Sequence, residues 1–438
     1  MDSKRSFLTS LLVATAAACL LIGLCAATGL LWQSLNRSAP EAVRTPAPTR
    51  TPTATLDPAV EDTERHLRIF GQLYEIVRDG YIYADYNGVD WEAIGDEYHE
   101  IVEAGLSDED FWFLMSSMIF ELNDEHSIFL PPDLAREEDN IASGDLSYAG
   151  VGLTSAPLPA RSYSVILMVL PDSPAAQAGL EPHDRILTID GQRACCDAYG
   201  YDLLDLLRGP AGTSVTLKVQ TPGESARQVT VVRGQIDGTI PVPSRRLAHD
   251  VGYILIPSFW DDTMADKVEQ TLTDLAAEGE LSGLIIDLRI NPGGGYLTLI
   301  DLLSLFADGK LGNFVWQGGS EPLVVEGTDV AGSQTLPLVI LVGRETISFA
   351  EVFAGVLQEA ERAQIVGRTT YGNIEILYGY DFEDGSRAWI AQETFRPPSG
   401  TDWEQTGIVP DVEIPLDWDE FTVDDDPQLG AALDLLSP

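Results

Sequence analysis

Residues 336–367, LPLVILVGRETISFAEVFAGVLQEAERAQIVG, hold the arrangement from which the fold of this chain can be read. Leu338 to Val342 is an unbroken apolar run, which suits a strand buried on both faces. A short polar turn follows. From Phe349 the apolar residues recur at the three-and-four spacing of an amphipathic helix. Ser348 stands at the junction. A hydroxyl there lies beside the unsatisfied N–H groups and positive dipole end of a helix, a setting that stabilises an oxyanion. The same residues, Ser348 to Glu351, also spell a capping box, in which the hydroxyl would serve only the helix. Strand, turn, serine and helix together point toward a hydrolase.

Outward from this stretch the pattern repeats. Residues 250–260 (DVGYILIPSFW) read as a strand, 262–279 as an amphipathic helix, 281–295 (LSGLIIDLRINPGGG) as a buried strand ending in glycines, and 296–309 as a second helix. Strand–helix alternation of this kind implies a layered α/β core. Residues 374–395 are β-rich, with a turn at Asp384-Gly385. Residues 146–235 differ in texture, with short β-rich runs broken by a short helix at 173–179 and a longer one over 198–209. Residues 61–145 carry helical spacing throughout.

Residues 36–60 are rich in Pro, Thr and Ala and read as an extended linker. Ahead of them, Phe7 to Trp32 contains no charged residue; its 26 residues would span roughly 39 Å as a helix, enough to cross a bilayer. Lys4 and Arg5 precede it, so an uncleaved anchor within residues 1–35 would leave the N-terminus cytoplasmic and everything after the linker outside. Cleavage as a secretory signal is the alternative. The chain has 438 residues and a net charge of -43, from 69 acidic and 26 basic side chains. That surface repels phosphate backbones and argues against nucleic acid as a partner. Four cysteines, two of them the neighbours Cys195 and Cys196, suggest neither a disulfide framework nor metal-ligand spacing.

YAGVGL (148–153), DSPAAQAGLEPHDRILTIDGQ (172–192) and GPAGTSVTLKVQ (209–220) resemble a PDZ domain. The resemblance implies that Gly150, Val151, Gly152 and Leu153 form the loop whose N–H groups receive a peptide's C-terminal carboxylate, beside an edge strand that takes the peptide by β-augmentation. VGYILIPSFWDDT, LIIDLRINPGGG, SFAEVFAGVLQEAERAQIVGRTTYGN, GIVPDVEI and LNDEHSIFL resemble the C-terminal processing, or tail-specific, serine peptidases. That likeness covers roughly residues 65–435. It implies a crotonase-like α/β peptidase core over 236–438, preceded by a helical segment and an inserted PDZ domain, needing no metal or other cofactor. Its substrates would be polypeptides with exposed C-termini, and a homo-oligomer is conceivable through the terminal helices.

The family's nucleophile falls on Ser348. Its oxyanion donors fall on the N–H of Phe349 and on the glycine turn at Gly293 and Gly294. Asp287, Arg289 and Asn291 would support that turn. The family's usual base, a lysine 25 residues after the serine, is here Asn373, and the polar helper four residues later is Leu377. None of Lys4, Lys218, Lys267 and Lys310 falls where a substitute is needed. A branch exemplified by tricorn protease uses serine, histidine and glutamate, and its motifs match His126 and Glu404. The imidazole would act as base near neutral pH, with the carboxylate orienting it. The opposing reading is a protease-like scaffold that binds C-terminal tails without cutting them.

Overall fold

The computed structural model describes residues 58–437, except residue 125 and residues 196–205. The expected anchor, nearly all of the linker and most of the expected helix over 198–209 lie outside the described residues. Among those described, no helix is long and apolar enough to cross a membrane.

The chain falls into two compact units, one holding the described residues up to Arg136 together with Leu377–Gln392, the other the remainder. In the first, helices Pro58–Gly80, Trp91–Glu103 and Asp108–Phe120 follow one another. Asp90 and Ser107 cap the second and third by accepting the N–H groups of Ala93 and Asp110 at 3.1 Å each. Their apolar faces, among them Phe70, Leu73, Phe111 and Met115, close a core of their own. Residues 377–392, assigned to the peptidase core from sequence, pack here. Phe382, Ala388, Ile390 and Ala391 are buried in the helical cluster, and Ile128–Leu130 pairs antiparallel with Arg387–Trp389.

The second unit holds the PDZ domain and the α/β core. The PDZ sheet runs β1 (Leu153–Leu158), β2 (Tyr163–Val169), β3 (Arg185–Ile189), β4 (Ser214–Gln220) and β5 (Arg227–Val232), each antiparallel to the next. β1 lies at one edge. Cys195 is disulfide-bonded, contrary to the sequence expectation; the other three cysteines lie outside the described residues. The core sheet runs β6 (Ser244–Arg246), β7 (Val251–Leu255), β8 (Gly283–Asp287), β9 (Leu338–Val342), β10 (Gln364–Gly367) and β11 (Val412–Glu413). All its pairings are parallel except that of β6 with β7. β7, β8 and β9 are buried along their whole length, as continuous apolar runs require. Helices α1 (Met264–Ala277), α2 (Tyr296–Ser304) and α3 (Phe349–Glu359) form the connections. The loops that leave β8 and β9 lie at the ends of adjacent parallel strands, where α/β sheets place their sites.

Candidate active site

Two loops meet. After β8, residues 288–295 lead into α2; after β9, residues 343–348 lead into α3. They are stitched together: Thr346 Oγ1 donates to Leu288 O at 2.8 Å, and Ile347 N–H donates to Asn291 O at 3.0 Å. Asn291, fully buried, also donates through Nδ2 to Ile256 O at 2.9 Å. This is the supporting role that the alternating Asp287, Arg289 and Asn291 suggested.

Ser348 sits where the second loop becomes α3, with φ 57° and ψ −128°. A serine held at positive φ is strained and persists only where its surroundings over-determine it, which happens chiefly at functional sites. The turn has the capping-box form expected from sequence. The N–H of Glu351 goes to the Ser348 carbonyl at 2.8 Å, while the Glu351 carboxylate accepts the Ser348 N–H at 3.1 Å. The carboxylate thereby pins the serine backbone.

Gly293 and Gly294 lie against this turn, with φ of 88° and 146°. A Cβ on Gly293 would stand 2.8 Å from the Ser348 Cβ and 3.0 Å from the Phe349 nitrogen; one on Gly294 would stand 2.1 Å from the backbone of Phe259. Both positions demand glycine. The Gly293 N–H is bonded to Asn291 Oδ1 at 2.8 Å. In this arrangement what Gly293 contributes is the absence of a side chain. The N–H groups of Phe349 and Gly294 find no acceptor among the described residues, and they are the pair available to a developing negative charge.

Beneath Ser348 lies Glu351, fully buried. Its carboxylate accepts Thr370 Oγ1 at 2.5 Å, Gly372 N–H at 2.7 Å and Asn373 N–H at 2.9 Å, besides the Ser348 N–H. Burial pushes its pKa up to about 7, against those four donors, which favour the ion. The segment holding Gly372 and Asn373 is thus tied by its backbone to the turn at Ser348. One residue on, Ile374 N–H donates to Glu404 Oε2 at 2.9 Å. Glu375, 4 % exposed, brings a carboxylate oxygen within 4.8 Å of that of Glu404. Sequence reading missed both Glu375 and the wider role of Glu351; the only signal for Glu375 was its place two residues after Asn373.

Three of the four lysines lie among the described residues, and Lys310 is exposed. Lys267, on α1, binds the Asp261 carboxylate and the Ile240 carbonyl, and Lys218 is an exposed residue of β4. His126 belongs to the helical unit and is 8 % exposed, in a turn where Asp124 accepts the N–H groups of His126 at 3.1 Å and Ser127 at 2.7 Å. In the PDZ domain, the Val151 and Gly152 carbonyls accept the N–H groups of Ala175 at 2.8 Å and Leu170 at 3.0 Å, which fixes the turn from Gly150 to Leu153. Flanking Ser348, the rings of Tyr296, Phe314 and Phe349 form an apolar wall, Tyr296 standing 5.3 Å from Phe314 and 6.3 Å from Phe349, with Tyr296 42 % exposed.

Comparisons with known proteins bear on the family and the fold. The profile of Peptidase family S41 matches residues 250–414, that of the PDZ domain residues 165–221, and that of the tricorn protease C1 domain residues 62–120. A carboxyl-terminal-processing protease of Synechocystis sp. is 31% identical over 378 residues, covering 84% of this chain and 86% of that one. A chloroplastic C-terminal processing peptidase of Tetradesmus obliquus is 26% identical over 377 residues, covering 82% and 79%. Among solved structures, a photosystem II D1 C-terminal processing protease aligns with a TM-score of 0.60 at 26% identity, covering 80% of this chain and 93% of that one.

Proposed function

The chain belongs to peptidase family S41, as a serine peptidase with a PDZ domain, and we propose that it is a membrane-anchored endopeptidase that faces outward and cleaves polypeptides presented by their C-terminal tails. The carrying observation is the strained Ser348 at the start of α3, set beside two N–H groups without acceptors. In this reading Ser348 Oγ attacks the scissile carbonyl and passes its proton to His126. The oxyanion rests on the N–H groups of Phe349 and Gly294. His126 then protonates the leaving amine, and a water molecule, deprotonated by the same ring, hydrolyses the acyl-enzyme. Glu404 orients the imidazole and stabilises its cation. Support for a histidine base comes from Asn373, whose amide cannot accept the serine proton.

The PDZ edge strand β1 would receive the tail, with its carboxylate on the turn Gly150–Leu153. The apolar wall of Tyr296, Phe314 and Phe349 would receive a side chain next to the scissile bond. Outward orientation rests on Lys4, Arg5 and the uncharged run that follows them.

A serine-directed fluorophosphonate probe tests this on the full-length chain, compared with Ser348→Ala, His126→Ala and Asn373→Ala. Labelling lost in the first two and kept in the third is expected. Labelling kept in His126→Ala and lost in Asn373→Ala would refute the histidine base. No labelling of a folded chain that still binds C-terminal peptides would establish the scaffold reading, which the missing lysine favours.

A further inference from the structure

We propose that Trp418 and Asp419 are positioning residues that hold the PDZ domain against the catalytic loops as one rigid support, so that the domain braces the turn before Ser348 rather than swinging aside to admit substrate. The consequence for catalysis rests on Ser348 being the nucleophile.

The apolar contacts come first. Strand β2 is buried on both faces. Ile166 points into the PDZ core, whereas Val165 and Leu167, with Ala156 and Leu158 of β1, belong to the same apolar cluster as Leu341 and Phe353 of the peptidase core. The contact is therefore apolar, and apolar interfaces within a chain restrain domain motion more than polar ones.

The segment 416–421 then clasps the domain. Trp418 Nε1 donates to Ile166 O at 3.0 Å, and its carbonyl lies 2.6 Å from His183 Nδ1. The His183 ring stacks on the indole at 4.1 Å. Asp419, fully buried, accepts Arg161 at 2.5 Å, the Tyr163 hydroxyl at 2.6 Å and Arg185 at 3.1 Å, all three from the PDZ domain. Separating the two parts would strip this carboxylate of every one of those donors.

The same indole also meets the loop that leaves β8. The Arg289 guanidinium lies 5.0 Å from the Trp418 ring and is held by Asp287, Asp426 and Gln428. Arg289 stands at the head of the loop that ends in Gly293 and Gly294. A small cavity of about 20 Å³, room for one water molecule, marks where the three parts meet. Leu158 and Val165 wall it from the PDZ side, Gly343 and Glu345 from the turn leading to Ser348, and Trp418 and Asp419 from the clasp. Strand β1 therefore joins the turn at Gly150–Leu153 at one end to this junction at the other.

The test compares the full-length chain with Trp418→Ala, Trp418→Phe and Asp419→Asn. Three quantities are read: the rate of fluorophosphonate labelling, the affinity for a fluorescent peptide with a free C-terminus, and amide hydrogen exchange over residues 343–348. For Trp418→Ala we expect labelling at least tenfold slower, faster exchange in the turn, and peptide affinity within about twofold. Trp418→Phe, which keeps a ring over Arg289, should recover most of the rate. Equal or faster labelling with unchanged exchange would overturn the brace and make the domain a gate or a passenger. If Trp418→Ala does not fold, Asp419→Asn, which keeps the side chain's size, carries the same comparison in milder form. If the wild-type chain itself does not label, the nucleophile reading fails separately; exchange over 343–348 then decides the brace alone, faster exchange supporting it and unchanged exchange ending it.

Discussion

Ser348 is placed by a residue whose sequence role looked merely local. Glu351 three positions on could be read from the spacing as half of a capping box. Its other donors, Thr370, Gly372 and Asn373, come from 19 to 22 residues away, and no local pattern encodes that meeting. Glu351→Ala would leave the amides of Ser348, Gly372 and Asn373 buried without an acceptor, at about 1–3 kcal/mol each. The expected outcome is loss of probe labelling at Ser348 together with a thermal midpoint lower by several degrees. Labelling at the wild-type rate would show that Ser348 keeps its strained backbone without this carboxylate. The glycine pair shows the same limit of sequence reading. The motif NPGGG announced a backbone that must approach closely, but which amide would be available depended on Asn291 Oδ1, which takes the one on Gly293.

At the scale of elements, the buried strands β7, β8 and β9 were legible because parallel strands covered on both faces are nearly pure apolar runs. The PDZ strands were legible as short β-rich runs punctuated by glycine turns. The edge status of β1 was implied by the PDZ resemblance and not by the residue pattern, because it depends on the order in which strands assemble. That edge leads to a prediction. Gly152 has φ 78°, and a Cβ there would lie 2.4 Å from the Ser173 Cβ and 2.9 Å from Ile236 Cδ1. Gly152→Ala should therefore distort the turn proposed to hold the carboxylate. Fluorescence anisotropy with a peptide bearing a free C-terminus should show binding to the wild-type chain, tenfold or greater loss in Gly152→Ala, and a similar loss for wild type when the peptide is amidated. Equal affinity for the free and amidated peptides would remove the carboxylate from the recognition.

Across the whole molecule, the succession of helical segment, PDZ domain and α/β core follows the sequence texture, whereas the return of residues 377–392 to the helical unit does not. An apolar strand face does not announce which core it joins. Long-range burial also governs how stability responds to pH, through two groups that act in opposite directions. The buried Glu351 carboxyl is pushed up to about 7, so the folded chain holds that proton more tightly than the unfolded chain. Its stabilising contribution is complete below pH 4.5 and is lost as pH rises through 7. The His183 ring, buried against Trp418 and Phe421, is pushed down to about 4. Its neutral form is the one that fits, so its contribution is complete above pH 6.5 and is lost as pH falls toward 4. Each shift corresponds to roughly 2–4 kcal/mol at its limit. The thermal midpoints of wild type, Glu351→Gln and His183→Gln, measured from pH 4.5 to 7.5, separate the two. The gap between wild type and Glu351→Gln should narrow as pH rises across that window, and the gap between wild type and His183→Gln should widen. Parallel curves for either variant would mean that its side chain binds a proton equally well in the folded and unfolded chain, and for His183 that the PDZ junction is open enough to water for the ring to keep its ordinary affinity for a proton.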